Sequence, residues 1–460
     1  MIVPCYINGD PQDSGTATEA ALVSVPYNFT APRNDPNATY LARIPQVGTV
    51  WATTYDKYRK ALYSAAFVKR HMGMGPGGLG AIYKTDLTTN ATTTLVDVTT
   101  LGVNLGSIAD NATRGLGAKT AQSADAQGFT AVGKVGMGGM DISEDGNSLY
   151  FMNLFQKKLH VLNLSSLSQS AEVAIPDPGC ENGSTRPWAV KIYKGYAYVG
   201  VVCDASTSKS AGDLRAYVYR MNLTTNVFDT NPVFDFPLTY PKGFAFWVTT
   251  SHTGWYPWSD DWKDVFFTNG FAPWVGVMHP VPILTDIAFD TDGSIVLGIG
   301  DRTGFQTGFQ NWSPEGSGSY SNVLGGDILR GYYQNGSYVL ENNAKAGPAV
   351  GSGVNNGQGP GFGEFYSDNQ VTDGIYAHAE TAMGGLAIRP GSGETIYTAV
   401  DPLDNVLNAG GFRWISNSTG NPTSIYEVYT GGASFAKAAF GKMSTTMVYK
   451  IYQLKKVWQV

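Results

Sequence analysis

The sequence predicts an all-β fold, a β-propeller of six blades in which the two chain ends together close the last one; seven blades is the fallback. Three observations lead there. A strand–turn–strand phrase recurs along the chain, a second signature recurs at the exit of the third strand, and the composition is that of turn-dense, aromatic-rich β structure. The chain has 56 Gly, 26 Tyr and 10 Trp, with 15% charged residues among 460. Repetition of one small antiparallel unit is the mark of a propeller, because a single blade cannot bury its own apolar faces.

The phrase is cleanest in Met140-Asp141-Ile142-Ser143-Glu144-Asp145-Gly146-Asn147-Ser148-Leu149-Tyr150-Phe151-Met152. Met140 and Ile142 alternate with polar residues, as a strand with one covered face requires. Asp145-Gly146 supplies a tight turn. Leu149 to Met152 is dense enough for a strand covered on both faces. A third strand follows at Leu159–Leu162 and a fourth at Ala171–Ile175. The phrase returns at Trp188–Val202, Asp286–Ile299 and Leu386–Val400, and more loosely at Trp51–Phe67. The exit signature returns as Tyr83-Lys84-Thr85-Asp86-Leu87, Val161-Leu162-Asn163-Leu164 and Tyr219-Arg220-Met221-Asn222-Leu223.

In chain order, residues 1–40 hold two extended pieces, Cys5-Tyr6-Ile7 and Ala21–Val25, which serve as closing strands. Residues 45–97, 136–176, 186–240, 283–342 and 380–430 are blades. Residues 101–135, 242–282 and 343–379 are insertions or loops, and 433–460 is expected to return as the remaining closing strand. Within 242–282, Phe244, Phe246, Trp247, Trp255, Tyr256, Trp258, Trp262, Phe266, Phe267, Phe271 and Trp274 crowd together. This segment reads either as irregular strands of a neighbouring blade or as an exposed aromatic platform for a sugar ring or a partner.

Composition narrows the function. A net charge of −6 argues against nucleic acid. No apolar run reaches membrane-spanning length, and Met1-Ile2-Val3-Pro4-Cys5 lacks the basic and apolar regions of a signal peptide, so any leader is expected to be gone already. Ten Asn-X-Ser/Thr sequons stand at Asn28, Asn37, Asn90, Asn111, Asn163, Asn182, Asn222, Asn311, Asn335 and Asn417. All fall in turns or loops of the reading above, so covalent glycans are expected. Cys180 and Cys203 flank one blade's first two strands, where antiparallel pairing brings them together, so a disulfide is expected there. Cys5 is left over.

A set of phrases resembles a family of bacterial secreted propeller domains found in large surface proteins, often ahead of SdrD B-like (Cna-B-like) repeats. They are Cys5-Tyr6-Ile7-Asn8-Gly9-Asp10, Ala65–His71, Arg186–Lys191, Tyr198–Cys203, Asp286–Arg302 and Gly384–Glu394. The sequon load is also similar to that of environmental extracellular glycofibrils built from propeller subunits. The resemblance implies an extracellular or cell-surface structural role with no catalytic residues to carry over. It departs after Ala438, where Phe440-Gly441-Lys442-Met443 replaces the family's closing pattern.

Candidate chemistry is thin. His71, His160, His252, His279 and His378 show no metal-ligand spacing, and Asp290-Thr291-Asp292-Gly293 lacks the later Glu of a calcium loop, so no metal and no cofactor are expected. Arg70-His71, Arg186, His279, Asp301-Arg302 and His378-Ala379-Glu380 fall at connections that open on one rim of the ring. If the protein were an enzyme of quinoprotein sugar dehydrogenase or lactonase type, His378, Glu380, Asp301, Arg302, His71 and Arg186 would carry it. The reading preferred on sequence is a glycosylated structural subunit that assembles with itself into a surface layer or fibril, with a carbohydrate-binding adhesin as the alternative. Its expected partners are further copies of itself and a polysaccharide.

Overall fold

The computed structural model describes residues 1–27, 38–247, 250–268, 276–429 and 443. It is a six-bladed β-propeller. The first blade runs Val50–Asp56, Ala61–Ala66, Ala81–Asp86 and Thr92–Asp97. The second runs Met137–Ile142, Ser148–Asn153, Lys158–Asn163 and Ser168–Ala174. The third is built on Thr185–Tyr193, Tyr196–Cys203 and Arg215–Asn222, with Phe234–Pro237 on its outer edge. The fourth runs Pro282–Phe289, Ile295–Asp301, Asp327–Gln334 and Ser337–Leu340, and the fifth Ala382–Ile388, Glu394–Val400, Gly410–Ser416 and Pro422–Tyr429. Every pairing within these blades is antiparallel.

The sixth sheet comes from the N-terminus: Ile2–Pro4, Ala20–Ser24 and Thr39–Arg43. Its first strand is Ile2–Pro4 and not the Cys5–Ile7 piece the alternation suggested. The sheet fits between the fifth and first blades. Met1, Val3 and Val23 pack with Met383, Val400 and Phe412, while Ile2 and Leu22 share a core with Val50 and Leu62. The closing strand expected over 433–460 lies outside the described residues except for Met443, which is buried in the same core as Val3 and Met383.

The hairpins follow the turn chemistry. In the second blade the Ser143 hydroxyl accepts from the Asn147 and Ser148 amides, at 3.1 and 2.9 Å, and Gly146 takes φ +75°. A side chain there would meet left-handed strain and the Tyr58 ring.

A second regularity was not visible in the strand pattern. Each of the five blade-opening strands breaks register with its neighbour partway along, between Val50 and Thr53, Met137 and Met140, Pro187 and Val190, Leu284 and Asp286, and Ala382 and Leu386. Such a bulge re-aims the side chains it contains. Near the axis it also lets adjacent strands approach: a Cβ on Gly139 would lie 2.7 Å from the Trp188 carbonyl oxygen of the next blade. In the first and third blades the bulge carries Trp51 and Trp188. Their rings meet edge to face at 5.7 Å, and both contact Phe305, at 5.2 and 6.1 Å; Phe67 joins at 5.4 Å from Phe305. These rings come from the first, third and fourth blades; the first is a neighbour of neither other blade, so its contacts with Trp188 and Phe305 cross the axis. All four are fully buried.

Phe305→Ala is therefore expected to lower unfolding stability by about 3–5 kcal/mol, a transfer loss plus the cavity left on the axis. A urea titration followed by tryptophan fluorescence measures it.

Candidate functional site

On the side of the hairpins that join first to second strands, the described residues form a funnel of about 570 Å³, within the range of small-ligand sites. Corresponding positions of the blade-opening strands place Thr54, Asp141, Lys191, Asp286 and Ala387 around it, with Met443 at the wall. Asp141 is a tie between three blades: it accepts from Thr54 Oγ1 at 2.9 Å, from the Ile192 amide at 2.9 Å, and pairs with Lys191 Nζ at 3.1 Å. Asp286 repeats the motif one blade pair later, accepting the Leu386 amide at 2.9 Å. Burial pulls the Lys191 ammonium down, but Asp141 and then Asp286 outweigh it and hold it above the ordinary lysine range. A lysine kept charged and salt-bridged serves as a binding group, and the funnel offers polar recognition.

The six residues named for an enzyme do not meet at that mouth. They lie at the opposite end, distributed over separate buried ties. Arg70 donates to the carbonyls of Ala124, Gln306 and Trp312, binding the 101–135 loop to the segment after the fourth blade's second strand. His71, at φ +67°, hydrogen-bonds Ser123 through Nδ1 at 2.9 Å, and its carbonyl accepts from Gly9. Burial, then Arg70, Lys69 and Arg114, keep its imidazole well below the usual histidine range. Arg186 and Arg302 both stack on the Trp258 ring, at 5.0 and 4.3 Å. Arg186 pairs with Asp204 at 2.7 Å, and Arg302 donates to the Val132 and Ser259 carbonyls. Asp301 accepts the Val281 and Thr303 amides. His378 bridges the Ala245 carbonyl and Asp401, at 2.6 and 2.9 Å.

Beside His378 lies a group that sequence reading did not assemble. Glu364, Asp368 and Glu380 are buried together with Asp327 nearby. Burial, then the surrounding carboxylates, push Glu364 and Glu380 well above the usual carboxylate range; Lys242 Nζ stands 3.8 Å from Glu380. The four acids come from three separated stretches, so no spacing rule reveals them. Asp290 and Asp292, in contrast, are the hairpin turn of the fourth blade, and Arg330 takes both carboxylates.

Among its described residues the aromatic segment is mostly buried and does not form an exposed platform. Trp255, Trp258 and Trp262 are buried, and only Trp247 among its described tryptophans is exposed. Phe271 and Trp274 lie outside the described residues, as do Asn28 and Asn37. Cys180 and Cys203 are joined by a disulfide with Cα atoms 5.4 Å apart, while Cys5 is a free thiol that burial pushes up to about 12.

Two sequons need correction. Asn311 is fully buried and its Nδ2 donates to Asn8. Asn417 is buried, donates to Asp290 and accepts from Tyr366 and Thr395; the 343–379 insertion covers the hairpin that is open in other blades. A glycan needs that nitrogen in solvent. Asn111 is half-buried and uses the same atom on Asp10 and Met74. Asn90, Asn163, Asn222 and Asn335 sit at the outer hairpin between third and fourth strands of four blades, and Asn182 is exposed.

No protein-family profile matches the chain. Among known proteins it is similar to several from Dictyostelium discoideum. Colossin-A is 29% identical over 467 residues, covering 96% of this chain and 4% of Colossin-A. Colossin-B is 25% identical, covering 88% of this chain and 10% of its own length, and Colossin-D 25% identical, covering 88% and 40%. The chain thus spans less than half the length of each. Among solved structures, a nidogen/laminin complex aligns with TM-score 0.42 at 8% identity, covering 96% of this chain and 97% of that one. A Lactobacillus plantarum protein aligns with TM-score 0.40 at 8% identity, covering 95% and 97%. Nothing about function follows at those scores. No helix among the described residues is long and apolar enough to cross a membrane.

Two measurements check the site. Burial raises Asp301 to about 6; its folded pKa thus exceeds the unfolded one, so the fold gains from protonating it and loses that gain as pH rises from about 4 through about 6. Asp301→Asn is expected to flatten the stability–pH curve in that window, by up to about 3 kcal/mol. Glycopeptide mass spectrometry of the native protein is expected to find no glycan on Asn311 or Asn417, with occupancy confined to exposed sequons.

Proposed function

We propose that the chain is an extracellular, glycosylated structural propeller, a non-enzymatic subunit that associates with further copies of itself in a surface layer or fibril. The observation that carries this reading is the use to which the charged residues are put. Arg70, His71, Arg302 and His378 are fully buried, and each is engaged with loops of its own chain. A catalytic set would leave at least one of them facing a cavity with a partner in reach. Here they fasten insertions over one end of the ring.

Similarity to colossins, in which a region like this one is a fraction of a longer chain, supports a module within extended material. Exposed sequons at equivalent outer hairpins suit a glycan coat around the rim. Association by strand addition at the sixth sheet, whose outermost described strand Thr39–Arg43 pairs on one side with Ala20–Ser24, would give a directional head-to-tail contact. The enzyme reading loses its common cavity, and the adhesin reading loses the buried tryptophans of its platform.

Sedimentation velocity over a wide concentration range, with negative-stain microscopy of the native material, is the test. Repeating particles of propeller size in linear or planar arrays are expected. Monodisperse monomer at the highest concentrations contradicts the proposal.

A further inference from the structure

The acidic group at the rim between the third, fourth and fifth blades is arranged in a way that simple burial does not explain. Glu364, Asp368 and Glu380 each present a carboxylate oxygen, and these lie within 4.8 Å of one another. All three residues are at most 2% exposed. The Asp368 Oδ2 atom accepts from the Thr381 amide at 2.8 Å, the Ala382 amide at 2.7 Å and the Thr381 hydroxyl at 3.2 Å. Glu380 Oε1 accepts the Gly243 amide at 2.6 Å, and Glu364 Oε1 accepts from Asn356 at 2.9 Å. Yet Asp368 Oδ1 and Glu380 Oε2 are buried with no hydrogen-bond donor at all. So is the neutral amide oxygen Gln358 Oε1, which lies beside Gly243.

Asp368 and Glu380, each held by one oxygen with the other bare, are fixed as metal ligands are fixed by their supporting hydrogen bonds. Unpartnered acceptors are costly inside a protein, and negative charges costlier. Lys242 is the ammonium at hand, and it reaches the Glu380 oxygen that Gly243 already holds. A cation of high charge that takes only oxygen would satisfy the bare atoms together. Oxygens that all lie within 4.8 Å of one another can share one ion at Ca–O distances of roughly 2.3–2.6 Å, and an all-protein oxygen cage suits Ca²⁺ better than Mg²⁺, which keeps its waters.

We propose that Glu364, Asp368 and Glu380 form a structural divalent-cation site of calcium's size and oxygen preference, with Gln358 Oε1 as a neutral fourth ligand. The ion ties the 343–379 insertion to the entry of the fifth blade and to the Lys242–Gly243 segment after the third. It thereby locks the end of the ring opposite the funnel.

The test uses the whole chain, stripped with EDTA and then titrated with CaCl₂ alone in a calorimeter and in thermal melts. One Ca²⁺ per chain is expected, with the melting midpoint raised by roughly 3–6 °C at saturating ion and a smaller rise with MgCl₂. Glu380→Gln keeps the Gly243 hydrogen bond and replaces the bare oxygen by an amide. It is expected to lose the Ca²⁺ heat and shift while melting in EDTA no lower than the parent. No heat and no shift in the parent would overturn the site, as would an undiminished shift in Glu380→Gln.

Discussion

Closure of the axis is the constraint on which the rest of this molecule depends. Inner strands of a propeller converge, and six of them leave a central space that must hold water, a ligand or side chains. Here side chains fill it: Trp51, Phe67, Trp188 and Phe305 meet edge to face and stacked across the ring. Two of them reach the centre because the bulges of their strands turn them there. Aromatic pairs add roughly 0.5–1.5 kcal/mol each beyond their buried area, and Trp51 joins the first blade to the third and fourth across the ring.

The two ends of the ring are then organised by different physics. At the funnel, carboxylates on inner strands reach the amides of the next blade, Asp141 to Ile192 and Asp286 to Leu386, a charge-assisted clamp repeated around the mouth. At the far end, long insertions lie over the ring and are fastened by buried arginines that donate to backbone carbonyls. Arginine suits that task, since its planar fork satisfies several acceptors while its face stacks on tryptophan. Lys69 shows the limit of the device. Burial, and then Arg70, lower it to about 7, because its donors find only the Gly304 and Thr307 carbonyls.

Much of the ring was legible because a blade is a local object. Asp145-Gly146, Asp292-Gly293 and the apolar runs after them declare a hairpin within a dozen residues, and Cys180 and Cys203 flank strands that must pair. What escaped was everything made by residues far apart in sequence. Trp51 and Trp188 look like ordinary strand residues until a bulge turns them to the axis. Asn417 carries the same sequon and sits at the same hairpin as Asn163, but an insertion some 50 residues upstream covers it. The aromatics of 244–274 left open a neighbouring blade's strands or an exposed platform, whereas Trp258 is buried and takes two arginines on its ring. Topology put His378, Arg302 and His71 at connections of one rim, with the pinning of loops as one use for them; which loop each fastens could not be read, because topology says nothing of the loops that fill the space between them.

The central claim is that aromatic side chains plug the axis of this ring, and the proposed structural role rests on it. An experimental map of the native assembly at side-chain resolution tests it most directly. The account predicts continuous density joining the Trp51, Phe67, Trp188 and Phe305 rings, no organic cofactor between them, and subunit contacts made by the outer face of the ring. An open axial tunnel holding a redox group or substrate would contradict it.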